Sequence, residues 1–458
     1  MLYSFPILLG FTFITTLLLL LLYSTKYRWL ALLLSSLAFY FFVAEKFIWI
    51  LFAFSFVIFF GGFLIEKQKE NQKIKYVFII LLALLPLLFY KLVDPVIELI
   101  NLIKLKDFHV GSANFYYVVG LSFFTFNGIS YLIDIKRGYL KPERNYGLLL
   151  LFLCYFPHIL AGPLHRAKFL IPQFKNNISL SNQNFSLGFR LILWGIFKKY
   201  AIAQHLKITA DNIIDFPETH QGINMLFGGF IFFLHIYCDF TSYIDIGQGL
   251  SQFFGVKLKS NFNDRVYAAS SRKEFWNGWH ISLNHWFRDY FFFSITKNAK
   301  KQWQINLAIL STFFLIGLWH GATVSFIIWG ILNGSWIILE RYIKPHFEFI
   351  NTKIRNPLGT IYHVAIASFI ALVFRSNSLP DTLSAIANFN TKIDFQFPKK
   401  LIFLFLFMDI IYRLAKNKKI EDFIGEQKNY IRWLFYLITS TCILLWGINP
   451  DEFYYFKF

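Results

Sequence analysis

The 458-residue chain is 56% hydrophobic and 16% charged, which leaves too little polar surface to cover a soluble globule of this size and excludes an ordinary soluble domain. Aromatic residues reach 21%, with 59 Phe and 12 Trp, a content suited to lipid-facing helices and interfacial belts. Lys and Arg outnumber Asp and Glu by 45 to 26; on a membrane chain this +19 balance marks loops against an anionic leaflet, so the expected partner is lipid and not nucleic acid.

Apolar segments follow one another at 5–23, 29–43, 47–65, 77–89, 115–133, 147–160, 225–237, 305–339, 361–374, 401–411 and 433–447. They predict an all-α, polytopic integral membrane protein with about 10 to 13 transmembrane or re-entrant helices, the short ones tolerable only where protein covers their backbone. The first segment has no basic leader and no small-residue cleavage site, and reads as a retained anchor. With the N-terminus outside, the basic loops at 26–28, 66–75 and 136–144 all fall in the cytoplasm, as the positive-inside rule asks. The stretch 257–301 carries nine Lys/Arg against Asp264, Glu274 and Asp289, and belongs on the same side. No tandem repeat or long Gly/Ser/Pro linker interrupts the chain, which predicts a single integral domain over 1–458, with 257–303 as its basic amphipathic region.

Cys154, Cys238 and Cys442 stand alone among apolar neighbours, so neither a disulfide framework nor a metal site is expected.

The run 305–339 cannot be one helix. At about 1.5 Å per residue it would reach about 50 Å, well past a hydrocarbon core of about 30 Å. The break belongs at Trp319-His320-Gly321, where glycine loosens the backbone and leaves two pieces of single-span length. His320 then sits near membrane depth, where an ionisable ring is kept mainly for use. Its position alone leaves a hydrogen-bonded structural histidine open as well.

Upstream, apolar residues at 276, 279, 283, 286, 287 and 290 follow helical spacing with His280 on their side and Asn284, His285, Arg288 and Asp289 largely off it. This predicts an interfacial amphipathic helix, and spacing by itself favours a surface anchor with Trp at the headgroup level. A third cluster, 237–245, places Asp239, Tyr243 and Asp245 at the end of an apolar span, where they either pair with basic residues or line a polar cavity.

Five blocks in order carry a resemblance. They are Gly120-Leu121-Ser122-Phe123-Phe124-Thr125-Phe126-Asn127-Gly128-Ile129-Ser130-Tyr131, then Phe156-Pro157-His158-Ile159-Leu160-Ala161-Gly162-Pro163-Leu164, then 237–245, then Phe275-Trp276-Asn277-Gly278-Trp279-His280-Ile281-Ser282-Leu283 through Arg288-Asp289-Tyr290, and Trp319-His320-Gly321-Ala322. With the ending Glu452-Phe453-Tyr454-Tyr455-Phe456-Lys457-Phe458, the chain resembles the membrane-bound O-acyltransferase (MBOAT) family, in its bacterial alginate O-acetylation and teichoic-acid D-alanylation branch. The resemblance implies helices around a buried tunnel, with His320 as the essential membrane-embedded catalytic histidine and His280 as the second catalytic histidine on the cytoplasmic side. Trp279, Asn284, Arg288, Asp289, Trp319, Asp239, Tyr243 and Asp245 become candidate substrate-binding residues. Asn277-Gly278 in place of basic residues, Ser242 in place of glycine and His158 in place of glutamine depart from the pattern, while His165, His235 and His285 match no catalytic position.

By the same resemblance, no cofactor is bound tightly. An acyl thioester, acetyl-CoA or an acyl carrier, is the cytoplasmic donor, and a periplasmic esterase-like acetyltransferase is the expected partner at the cell inner membrane. The expected reaction moves a small acyl group, acetyl first, toward O-acylation of an exported polysaccharide, with D-alanyl or lipid acylation as the alternative. A transporter, flippase or export-complex scaffold also has many spans and a buried histidine, although no inverted repeat is visible.

Overall fold

The computed structural model describes residues 5–22, 26–44, 47–66, 73–102, 118–159, 162–176, 178–321, 323–347, 352–376, 378–388, 391–393, 395–416 and 418–449. Residues 1–4, with the start of the expected anchor, and the 452–458 block lie outside them, as do Leu160, Ala161 and Ala322. Every regular element among the described residues is helical. Contacts divide the chain into two compact units, Met1–Phe189 with Gly247–Lys259, and Arg190–Ile246 with Ser260–Phe458.

The first unit holds α1 (Phe5–Leu21), α2 (Arg28–Ala44), α3 (Ile48–Glu66), α4 (Lys73–Leu102), α5 (Leu121–Lys136), α6 (Tyr146–Cys154), α7 (Phe156–Ile159), α8 (Ala167–Asn176) and the start of α9 (Asn182–Ile196). Its first two resemblance blocks are packing elements. Phe124, Phe126 and Ile129 of α5 are buried, and Gly128 lets α3 close in, since a Cβ there would meet Phe54 at 2.7 Å. His158 reaches the Tyr155 carbonyl at 2.9 Å, and His165 Nε2 accepts from the Lys259 N–H at 2.9 Å.

The second unit holds a π-helical turn (Phe197–Ala203), α10 (Gln204–Ile214), most of α11 (Ile223–Phe253), α12 (Arg272–Gly278), α13 (Ile281–Phe287), a second π turn (Arg288–Phe292), α14 (Phe293–Thr296), α15 (Gln302–His320), α16 (Val324–Ile343) and α17 (Thr352–Arg375). The chain continues through α18 (Leu379–Ala387), α19 (Lys399–Ala415), α20 (Ile420–Glu426) and α21 (Asn429–Trp446). Among the described residues, five helices are long and apolar enough to cross a membrane: α3, the 73–93 part of α4, α11, α15 and 354–375 of α17; shorter apolar helices cover 7–21, 28–44 and 146–159. The chain is an all-helical membrane protein.

The run 305–339 is divided between α15, which ends on His320, and α16, which begins at Val324. Gln304 starts α15 by accepting the Lys300 and Lys301 N–H groups, both at 2.9 Å. The two helices form a tight hairpin whose contact runs over glycine. A Cβ on Gly317 would run into the Phe326 carbonyl oxygen, and one on Gly330 into that of Phe313. Gly330→Ala is expected to cost about 1–3 kcal/mol by forcing the pair apart. A melting temperature in detergent equal to the parent's would show that the helices can separate freely.

The 274–290 region is two short helices with a break between them, and not the one amphipathic helix that its spacing predicts. Ser271 caps α12 by accepting the Glu274 N–H at 3.1 Å. Helix α12 ends at Gly278, and His280 stands in the left-handed region at φ 42°. A neighbouring segment holds the break, since the Asn263 N–H donates to the Gly278 carbonyl and the Asn261 carbonyl accepts the Ile281 N–H, both at 2.9 Å. The apolar side does not face the membrane surface. Trp276, Trp279, Leu283, Trp286, Phe287 and Tyr290 are buried within the unit, because α12 and α13 fold back on it.

Candidate active site

His320 is 4% exposed and sits in a box of aromatic rings: Trp319 at 4.7 Å, Trp329 at 5.1 Å, Phe374 at 5.2 Å and Phe326 at 6.2 Å between centroids. Trp329 and Phe374 both meet the ring edge-on, at 86°. Three elements build the box, the end of α15, the start of α16 and the end of α17. Gly321 permits it, because a Cβ there would press on the Phe326 ring at 2.7 Å.

His280 reaches the same place from the other direction. Its ring lies 6.4 Å from Trp319, so that Trp319 touches both histidines, and Phe240 covers another side at 4.9 Å. An apolar cavity of about 50 Å³ is walled by Trp329 and Phe374, which box His320, and by Trp279, next in the chain to His280. Trp276 and Arg272 also line it. Trp276 also lines a second cavity of about 460 Å³ that holds Asn284, His285, Arg288, Lys273, Arg341 and Lys344, with Glu340 as its acidic member. A cationic chamber and an apolar pocket beside His320 thus share one indole as a wall.

Asn333 was invisible to spacing and organises this wall. Its Oδ1 accepts from Trp276 Nε1 at 3.2 Å and from Arg272 Nη2, and its Nδ2 donates to the Trp329 carbonyl at 2.8 Å. Fully buried, it ties α12 to α16. Glu340 adds to the tie by accepting the Arg272 N–H at 2.9 Å.

The remaining sequence candidates fall into two groups away from the aromatic box. Asn284 donates to the Trp276 carbonyl, and Arg288, which lines the chamber, pairs with its neighbour Asp289 at 3.0 Å. Asp239 is bound by Lys199, whose ammonium also lies 4.7 Å from the Tyr243 ring, and Asp245 is bound by Lys198 at 2.8 Å. Lys198 and Lys199 are buried on the first π turn, a local irregularity that no sequence period announces. Among the described residues no group of His, Cys, Asp and Glu can hold a metal ion, and the three cysteines are buried thiols.

Burial pushes the His280 imidazole down to about 3. An unfolded histidine, near 6.5, takes up a proton that the folded ring refuses, so stability is complete above about pH 6.5 and falls as pH drops from there toward 3. By pH 5 the loss is about 2 kcal/mol. His280→Asn, which tolerates the left-handed backbone, is expected to flatten the decline of melting temperature between pH 7.5 and 5. Equal slopes in parent and variant would show that the ring is not held neutral.

The model of the membrane-bound O-acyltransferase family, MBOAT, matches residues 145–379. The chain is 34% identical to the probable alginate O-acetylase AlgI of Pseudomonas aeruginosa over 57% of its length and 49% of the relative's. It is 29% identical to the peptidoglycan O-acetyltransferase of Helicobacter pylori over 78% of the chain and 69% of that protein, and 28% identical to the teichoic acid D-alanyltransferase of Bacillus subtilis over 60% and 70%. The aligned part spans about half the length of the alginate O-acetylases it matches. The matched residues include both histidines, both cavities and the two lysine–aspartate pairs, and the chain belongs to the membrane-bound O-acyltransferase family.

Proposed function

We propose that the protein is an O-acyltransferase that takes a small acyl group, acetyl first, from a cytoplasmic thioester and passes it across the cell membrane toward a hydroxyl of a surface or exported polysaccharide. The observation that carries this reading is His320, buried at a helix break against an apolar pocket that shares Trp276 with a cationic chamber. The limit on such a reaction is the weak nucleophilicity of an alcohol. A base that takes its proton as the C–O bond forms contributes about 10²–10⁴ in rate, and His320 is assigned that task, returning the proton to the leaving thiolate.

The cationic chamber suits the phosphates of acetyl-CoA or of an acyl carrier's prosthetic arm, with Lys273, Arg288, Arg341 and Lys344 supplying charge and Glu340 set among them. The acyl end then has Trp276 and Trp279 to pass on its way to His320. The thioester brings its own activation, so no tightly bound cofactor is assigned. The names of the relatives support acetyl over D-alanyl as the first group to test, and peptidoglycan joins alginate-type polymers as an acceptor class. Basic loops on one side support an extracytoplasmic N-terminus in the inner membrane and a periplasmic esterase-like partner that receives the acyl group. Because the family match runs through both compact units, we read them as one integral domain.

Purified protein in liposomes, given acetyl-CoA and a polysaccharide acceptor, is expected to release free thiol in step with acceptor acetylation. Thiol release at the parent rate from His320→Ala would sink the reading.

A further inference from the structure

Asn261 occupies no resemblance block, yet it is fully buried and makes three bonds at the break that carries His280. Its carbonyl accepts the Ile281 N–H at 2.9 Å, and its side-chain Oδ1 accepts the Ser282 N–H at 2.9 Å. With the oxygen engaged by a backbone donor, the amide can be oriented only one way, and Nδ2 faces His280 Nδ1 at 3.3 Å. An amide NH2 only donates. His280 Nδ1 is therefore the acceptor, and the neutral ring carries its proton on Nε2.

That Nε2–H is buried, with no hydrogen-bond partner among the described residues. Around the ring stand Phe240 at 4.9 Å, Trp319 at 6.4 Å and Phe262 at 6.4 Å, whose ring faces and edges offer no strong acceptor. A buried donor left unmatched is costly, because folding strips its water without replacing it. The left-handed backbone at φ 42° adds strain at the same residue. Both costs are sustained at a ring that shares Trp319 with His320.

We propose that Asn261 is a positioning residue that fixes His280 as the Nε2–H tautomer, and that this N–H donates to the carbonyl oxygen of the acyl thioester. The tautomer stands on the hydrogen bonds alone; the identity of the acceptor rests on the O-acyltransferase reading. The two histidines then have opposite tasks. His320 removes the hydroxyl proton while the new C–O bond forms and the carbonyl π pair moves onto oxygen, where His280 Nε2–H holds it. When the carbonyl re-forms, the C–S bond breaks and the thiolate takes the proton from His320. His280 cannot exchange roles, because its one lone pair is occupied by Asn261.

Nitrogen NMR of ¹⁵N-histidine-labelled protein in lipid at pH 8, with His280 assigned by difference from His280→Asn, reads the tautomer directly. The expected spectrum has a protonated Nε2 and a bare Nδ1; a protonated Nδ1 in the parent overturns the proposal whatever any variant does. Asn261→Asp keeps the size and the cap on Ser282 but presents an acceptor to Nδ1, so the proton is expected to move there. Transfer should then fall by about 10²–10³ in kcat with the KM for acetyl-CoA little changed, as for loss of one donor to a developing oxyanion. A reversed tautomer with parental kcat would remove His280 from the carbonyl. An absence of transfer in the parent itself would defeat the acyltransferase reading, while the parent spectrum would still decide what Asn261 does to His280.

Discussion

His320→Phe is expected to lose acyl transfer by about 10²–10⁴ in kcat while the protein inserts and melts close to the parent. Phenylalanine is the informative substitution because the site is an aromatic box. A six-membered ring keeps the edge-on contacts with Trp329 and Phe374 and leaves no void, whereas His320→Ala opens a cavity between α15, α16 and α17 and mixes a packing loss with a chemical one. Both variants should be silent if the ring is the base. The check is acetyl content of surface polysaccharide by mass spectrometry in cells, with thiol release by purified protein beside it. A His320→Phe variant with more than about a tenth of the parental rate would make the histidine a packing residue, since loss of a general base costs at least about tenfold more than that.

How much of this site could be read from the chain depends on the range of the interactions that make it. The break at 319–321 is legible because helix length is local arithmetic, and the structure divides the run there. The aromatic box was not, because Phe374 joins it from α17, more than fifty residues away, and nothing in the period of either segment pairs them. The 274–290 region misled for the opposite reason. Its apolar spacing is helical on both sides of His280, and only hydrogen bonds from Asn261 and Asn263, outside the pattern, hold the left-handed turn between the halves. Arg272 and Asn333 carry no motif at all, and are found only because a buried guanidinium and a buried amide meet across α12 and α16. The two carboxylates on α11 were seen, but their alternatives could not be separated without their partners. Lys198 and Lys199 stand in no motif, and the π turn on which both are buried has no sequence period to mark it.

Those partners make the second large effect. Asp239→Asn alone is expected to cost about 3–5 kcal/mol, because it leaves the Lys199 ammonium, 5% exposed, without its counter-charge. The double variant Lys199→Met with Asp239→Leu should recover most of that loss, since an apolar pair of similar volume avoids the desolvation that a buried ion pair must offset. The contrast between single and double variants also separates the two roles that the sequence left open for this cluster. A purely structural pair predicts that the double variant melts near the parent and transfers acyl groups at the parental rate. A substrate-facing pair predicts a stable but inactive double variant, because Lys199 and Tyr243 would then hold charge for a ligand and not only for Asp239. The geometry favours the structural outcome. Gly195 brings the segment before the π turn against α11, where a Cβ would meet the Ser242 carbonyl at 2.7 Å, and at that separation two adjacent lysines can each reach a different carboxylate of one helix. The pairs therefore fix how α11 lies against the π turn, and α11 in turn carries Phe240 to His280 and Phe233 to Trp279. If the double variant is stable yet its transfer falls only in kcat, that linkage has been loosened at the histidine end; a rise in KM alone for the donor would instead point to ligand charge lost from the cluster.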